Sequence, residues 1–508
     1  MGFLDFDFTT LFTLTNMTAI LVGTIVGLVI GAMPGLGATM AIVFLLPFTY
    51  SMTPVSAVLL LLAAYQAAEY GGSISSVTLG IPGTPAAAAT LQDGLPLARK
   101  VSPGKALGYS LNASTIGGIV GALSLIFLTQ PFAEFALMLS DPEFFLLGVM
   151  GLIAVASISV KGTMTKSLIS VVFGLMAGTI GMDMFTGNPR FTMGQLDLME
   201  GIGIVAMLIG MFAIPEILRV IKDDLHTRFA SNNSGMSTKL NAKEMRGVAK
   251  PIGFGSAIGT IAGILPGLGA VAASWFAYIG AKKLSKDPES FGKGNPEGIA
   301  APEAANNASV GGALIPLFAL GIPGSVGIAV VMSAFIIHGI QPGPRIFASD
   351  STLTYGILYG FLLTTIAMYI VGRICTPLFA RMLVVPNSFL MPIVYVIALV
   401  GGFSASMKYF DLWFALLLGI ISFFFIIARF SMAAFVMAFV LSPIIEKSLR
   451  RTLLISDGSY MPFITRPFSL ALLIIIILML MSPLFGKLKN RNKKVKEDVP
   501  SSEVVSDN

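Results

Sequence analysis

Four short interruptions of apolar sequence carry the most specific chemistry in this chain. They are Pro34-Gly35-Leu36-Gly37, Pro82-Gly83-Thr84, Pro266-Gly267-Leu268-Gly269 and Pro323-Gly324-Ser325. Proline withholds a backbone donor, and glycine admits turns that other residues resist. Inside hydrocarbon such a break leaves peptide groups unpaired, which is tolerated only where they face protein, a cavity or a ligand. The half-helix that starts after a break turns free N–H groups and the positive end of its dipole toward that space. That arrangement suits a carboxylate or a phosphate. Ser73, Ser75, Ser76 and the pair Asn306-Asn307 add hydroxyl and amide groups beside the breaks. No Lys or Arg lies deep in an apolar run, so an anion would be held by backbone dipoles and hydroxyls and could be released again. A single Pro-Gly often does no more than kink or pack a membrane helix. Four in two matching pairs ask for a shared purpose.

Two carboxylates stand near the breaks. Glu69, at the end of an apolar run, is the candidate proton carrier. A sodium ion held by loop carbonyls with Ser73 or Asn306 would serve equally, so Glu69, Ser73 and Asn306 are all candidates for ion coupling. Glu303 is a second candidate proton carrier but, directly after Pro302, reads first as an acidic residue favouring a helix start. Asp93 and His338, each followed by glycine, read as caps near the membrane interface. The remaining residues argue against catalysis. Cys375 is the only cysteine, and the two histidines, His226 and His338, are too few for a zinc cluster. No aspartate pair, His-Glu-x-x-His site or serine–histidine pair sits at membrane depth. The sequence therefore implies no enzyme, no metal site and no cofactor beyond a coupling Na+ or H+.

The elements that must position these groups are membrane helices. The chain has 508 residues, 55% of them hydrophobic and 11% charged, with a mean hydropathy of +0.85; a soluble domain carries about 25% charged residues. Apolar runs of roughly 17–25 residues, the length that crosses a bilayer, recur between Leu11 and Phe485. The fold class is an all-α polytopic membrane protein with broken helices or re-entrant hairpins and about 10–14 membrane segments. After the early breaks, spans are expected at 106–128, 143–159, 167–185 and 201–218. The first residues carry Asp5 and Asp7 and no Lys or Arg, so the first apolar run reads as a retained helix and not as a cleaved signal. Trp275, Trp413 and the many Phe residues read as lipid-facing or interfacial.

The order of motifs repeats. Gly263-Ile-Leu-Pro-Gly-Leu-Gly-Ala270 answers Gly31-Ala-Met-Pro-Gly-Leu-Gly-Ala38 at an offset of 232. Leu320-Gly-Ile-Pro-Gly324 answers Leu79-Gly-Ile-Pro-Gly83 at an offset of 241, and Ser404-Ala-Ser-Met-Lys408 answers Ser157-Ile-Ser-Val-Lys161 at 247. Three matches in one order mark a duplicated unit. If the N-terminus is outside, 25 of the 32 Lys and Arg fall inside, and the acidic loops at 134–143 and 183–200 fall outside. The repeats are then inverted in the membrane. Lys447, Arg450, Arg451 and Arg466 dissent by falling outside. The resulting division is an N-terminal segment 1–16, expected to be periplasmic, a first repeat 17–218, and a cytoplasmic linker 219–250. A second repeat 251–450, a final loop and helix 451–486, and a basic tail 487–508, read as disordered and cytoplasmic, complete it. Orientation in the lipid bilayer accounts for the net charge of +6 without nucleic acid.

With these motifs assembled, the sequence resembles the large membrane subunit of the tripartite tricarboxylate transporters. The likeness rests on Gly31 to Gly37, Tyr70-Gly-Gly-Ser-Ile-Ser-Ser-Val-Thr-Leu-Gly-Ile-Pro-Gly-Thr-Pro85 and Gly263 to Gly269. It extends to Pro302-Glu-Ala-Ala-Asn-Asn307, Leu320 to Gly324 and Gly339-Ile-Gln-Pro-Gly-Pro344, and covers roughly residues 17–450. The resemblance implies a multi-pass protein of the bacterial inner membrane that imports citrate or another small organic anion, using a sodium or proton gradient. It also implies two partners, a small four-helix membrane subunit and a periplasmic solute-binding protein. Inverted repeats with hairpin breaks suggest elevator-like alternating access. A passive anion channel is the alternative, since it would share the breaks.

Overall fold

The computed structural model describes residues 6–158, 164–216, 237–382 and 407–481, with isolated positions between them. Lys161, His226, most of the linker 219–250, Ser404 to Ser406 and the basic tail lie outside the described residues.

The described chain is helical, and its helices stop where proline and glycine require it. α1 (Leu14–Ala32) is capped by Thr13, whose side chain accepts from the Asn16 amide, and it ends at the Pro34 break. α2 (Gly37–Leu45) resumes after it and tightens into a 3-10 turn through Ser51. α3 (Pro54–Leu79) starts with proline in its first turn and ends on Gly80 in the left-handed conformation. α4 (Ala87–Lys100) follows the second break. The first half continues with α5 (Pro103–Ala136), α6 (Asp141–Ile158), α7 (Met164–Gly178) and α8 (Ile204–Leu208), which runs into a π-turn.

The second half starts with a capping box, in which the Asn241 side chain accepts from the Glu244 amide and Glu244 returns the bond. α9 (Ala242–Ile264) ends at the Pro266 break, and α10 (Gly269–Leu284) resumes beyond it. α11 (Glu297–Leu320) ends on Gly321, α12 (Val326–Ile337) follows the last break, and α13 (Ser351–Met382), α14 (Tyr409–Ile427) and α15 (Met432–Ile455) come after. Among the described residues, six helices (α1, α3, α5, α13, α14 and α15) are long and apolar enough to cross a membrane, and shorter apolar helices accompany them. The chain is a multi-pass membrane protein.

The motif pairs read from the sequence share backbone geometry. Gly35 and Gly267 both have φ of 92°, and Gly80 and Gly321 both have φ of 74°. The packing matches too. Gly23, Gly27 and Gly31 of α1 lie against the carbonyls of Leu60, Ala64 and Ala68 of α3. Gly255, Gly259 and Gly263 of α9 lie against those of Ala301, Ala305 and Ser309 of α11. Each residue of the second set is displaced from its counterpart by the sequence offsets of 232 and 241. Glycine at every fourth position lets two helix backbones touch, which is how helices bind in lipid, where apolar burial supplies little drive.

α3 and α11 occupy the centre and are buried along most of their lengths. α13 packs on α3, α5 packs on α11, and α15 lies against α6 and α7. Contacts run in opposite order along the two central helices. Gln66, Glu69 and Ser73 of α3 meet Asn307, Asn306 and Glu303 of α11 in turn.

Three expectations need correction. The span placed at 167–185 ends at Gly178. Gly181, with φ of 125°, then leads into a short antiparallel ribbon in which Gly181–Met182 pairs with Pro189–Arg190. Glu303 does not open a helix: α11 begins at Glu297 and carries Pro302 within it. Asp93 does not end its helix: α4 runs on through it to Lys100, and its buried carboxylate accepts from backbone amides of a loop of the second half.

Ion pairs account for three of the four dissenting basic residues. Arg450 meets Asp183 at 2.6 Å, Arg466 meets Glu143 at 2.6 Å, and Arg451 meets Asp141 at 3.5 Å. Their partners are the acidic loops that charge had placed on the same side, so these cations are largely neutralised where they stand. Lys408 likewise meets Glu200 at 2.8 Å. Elsewhere Lys105 meets Glu244 at 2.7 Å, and the Lys100 ammonium donates to the Lys293 carbonyl at 2.6 Å.

Candidate functional site

Each half folds its two breaks onto one another. In the first, the Gly83 amide donates to the Gly72 carbonyl at 3.1 Å, and Gly83 packs on the Gly31 carbonyl at the end of α1. In the second, the Gly324 amide donates to the Ala313 carbonyl at 3.2 Å, and the Gly267 amide donates to the Gly324 carbonyl at 3.0 Å. A side chain at position 83 or 324 would meet backbone atoms, which is the close approach that glycine permits.

Two of the half-helices that follow start without a side-chain cap: α2 after Leu36 and α10 after Leu268. At the start of α4 the Thr84 hydroxyl oxygen accepts from the Ala87 amide at 3.4 Å. α12 differs, because Ser325 is its cap and accepts from the Ile328 amide at 3.3 Å. The two Pro-Gly-Leu-Gly turns also differ in cover. Gly35 is exposed, with Pro34 half-buried and Leu36 and Gly37 buried. Pro266 is buried, and Gly267 sits behind Ala154 and Val155 of α6. Pro82 is half-buried, whereas Gly83, Thr84, Pro323, Gly324 and Ser325 are buried.

The serines beside the breaks divide by role. Ser75 and Ser76 donate to the Gly72 carbonyl at 3.2 and 2.9 Å and so support the turn. Ser73 points the other way, to Glu303. The Glu303 carboxylate lies in a cage of four hydroxyls: Ser73 and Thr90 donate to Oε1, and Ser110 and Ser114 donate to Oε2 at 2.9 and 2.8 Å. Those donors come from α3, α4 and α5, so one carboxylate of the second half is held by three helices of the first. Multiple hydroxyl bonds are what a charge buried without a cation requires.

Glu69 is its opposite. It is 6% exposed, and its Oε2 has no partner, although Thr84 and the Asn306 amide lie beside the carboxylate. Asn306 donates to the Glu69 carbonyl at 3.4 Å and Asn307 to the Gln66 carbonyl at 3.0 Å. Gln66 in turn donates to Thr365 of α13 at 3.2 Å, and the Tyr65 hydroxyl bonds Ser325 at 3.2 Å.

The structure thus joins Glu69, Thr84, Asn306 and Asn307 at the crossing of the central helices, with Tyr65 linking them to the fourth break. Ser75 and the Pro-Gly-Leu-Gly turns lie at the breaks themselves. Sequence reasoning passed over Tyr65, Gln66, Thr90, Ser110 and Ser114. Gln66, an amide inside an apolar run, was a readable signal, since a buried polar group needs partners. The serines of α5 gave none.

Two latches join the halves away from this crossing. Asp93 Oδ1 accepts from the amides of Gly292 and Gly294 at 2.9 Å and of Asn295 at 2.8 Å, while Oδ2 accepts from the Tyr278 hydroxyl at 2.9 Å. His338 Nε2 lies 3.1 Å from the Thr49 carbonyl, just before α3.

Comparison with known proteins agrees with this architecture. The sequence pattern described as "Tripartite tricarboxylate transporter TctA family" matches residues 17–437. An Agrobacterium vitis protein named "Uncharacterized 52.8 kDa protein in TAR-I ttuC' 3'region" is 36% identical over 492 residues, covering 97% of this chain and 98% of its own length. A second from that organism, "Uncharacterized protein in TAR-II ttuC' 3'region", is 34% identical over 237 residues, which is 47% of this chain and 98% of the relative. Matching broken helices, glycine-packed helix pairs and a family pattern spanning most of the sequence lead to one conclusion: the chain belongs to the tripartite tricarboxylate transporter TctA family.

Proposed function

We propose that this protein is the inner-membrane component through which a tripartite system imports a small organic anion, a tricarboxylate or another carboxylate, coupled to Na+ or H+. A periplasmic binding protein delivers the anion, and a small four-helix membrane subunit completes the assembly. The observation that carries this reading is the paired breaks, which come together within each half with the same backbone geometry and start half-helices that no side chain caps at Leu36 and Leu268. Free amide ends of that kind can hold a carboxylate without a buried cation. The opposite order of contacts along α3 and α11 supports inverted repeats, and these in turn support elevator-like alternating access.

The test is reconstitution with both partners in proteoliposomes. Labelled citrate and other carboxylates should enter saturably and show counterflow, which a passive channel lacks. Gly35→Leu and Gly267→Leu force a side chain onto a left-handed backbone, and the second also drives it into α6. Both variants should insert into the membrane and lose uptake. Normal transport by both would defeat the assignment of the breaks.

A further inference from the structure

We propose that Gln66, Glu69, Asn306 and Asn307 form a site for a monovalent cation of the sodium class where α3 crosses α11. The proposal rests on the transport reading only for the role of the ion, not for its binding.

Four side-chain oxygens at this crossing have no hydrogen-bond partner: Gln66 Oε1, Glu69 Oε2, Asn306 Oδ1 and Asn307 Oδ1. Their residues are 0%, 6%, 1% and 0% exposed. Buried acceptors left unpaired are rare and call for an explanation. The asparagine amides cannot be turned over to supply one, because both amide nitrogens already donate to the backbone carbonyls of α3. A carbonyl only accepts, so a flipped amide would set oxygen against oxygen.

The neighbouring hydroxyls of Ser73, Thr90, Ser110 and Ser114 are committed to Glu303. No Lys or Arg is among the buried residues described. The donors beside Glu69 are the Thr84 hydroxyl and the Asn306 amide, so the crossing presents more acceptors than donors and a carboxylate without a counter-charge, which is the surrounding a hard cation needs.

Charge and counting narrow the choice of ion. Both oxygens of Glu303 already accept two hydroxyls each, so Glu303 contributes field and Glu69 is the carboxylate left to bind. One ligating negative charge with neutral amide oxygens suits a single positive charge. A proton on Glu69 would serve one amide oxygen and leave the others orphaned. A water molecule could serve the amides but would leave the charge of Glu69 uncompensated.

The ligands come from both halves of the chain, and Thr84 of the second break touches Glu69. An ion there would fasten the halves together and order that break, giving the anion site and the ion site a shared element.

The test is equilibrium binding of 22Na+ to the full chain in lipid nanodiscs at constant ionic strength. Wild type should bind saturably, with displacement by unlabelled Na+ and not by choline. Glu69→Gln, which keeps the shape and removes the charge, should weaken binding more than about tenfold. Asn306→Asp adds a second ligating charge and should make Ca2+ an effective competitor. Absence of saturable 22Na+ binding to wild type, or unaltered binding by Glu69→Gln, overturns the proposal. Should Glu69→Gln fail to fold, indifference of Asn306→Asp to Ca2+ overturns it instead. Intact Na+ binding without any carboxylate uptake would refute the transport reading and leave this site standing.

Discussion

Adding one methyl group at the two glycine-packed helix pairs tests the architecture directly. At Gly27 a Cβ would lie 2.8 Å from the Ala64 Cα, and at Gly259 it would lie 2.7 Å from the Ala305 Cα, with the adjoining carbonyl oxygens nearer still. Non-bonded carbons rest at about 3.5–4.0 Å, so each pair of helices must part by roughly 1 Å. Backbone cannot rotate aside as a side chain can. Overpacking of this kind costs about 1–3 kcal/mol. Against it stands the gain of about 1 kcal/mol from replacing glycine by alanine inside a helix. Gly27→Ala and Gly259→Ala should therefore each be net destabilising by up to about 2 kcal/mol. Gly253, on the same helix as Gly259, supplies the control, because a Cβ there meets nothing within 4 Å. Gly253→Ala should match or exceed wild type. The assay is thermal unfolding of the detergent-solubilised protein, scored by the fraction that remains monodisperse. If Gly259→Ala melts at or above Gly253→Ala, the close contact between α9 and α11 is wrong.

Cysteine labelling in intact cells and inverted vesicles should find positions 196 and 293 on opposite faces; labelling of both from one side would refute the inverted arrangement. Acid should loosen the ribbon near Asp183. The Arg450 guanidinium, with the amides of Thr186 and Phe185, holds that carboxyl below the ordinary carboxylate range. A depressed carboxylate stabilises the fold above its ordinary pKa, about 3.9, and the contribution disappears as pH falls toward the lowered value. Proteolysis within 181–200 should therefore accelerate below about pH 4, and Asp183→Asn should show the faster cleavage at neutral pH. Equal cleavage of variant and wild type at pH 7 would count against the anchoring role.

Residue order alone determined the positions of the breaks, because proline and glycine act on their own backbone and need no distant partner. It also determined the duplication. The offsets of 232 and 241 that align the motifs align the glycine-packed pairs too, although the packing of Gly23, Gly27 and Gly31 against α3 emerges only from the fold. What the sequence could not decide was which polar groups meet. Glu303 after Pro302 looked like the start of a helix, yet packing against α5 and α9 carries α11 through that proline and delivers the carboxylate to four hydroxyls. Glu69 and Asn306 are 237 positions apart and meet because two central helices cross in opposite directions at one height. That meeting depends on the rotation and crossing point of each helix, quantities set by long-range packing, which no local run of residues records.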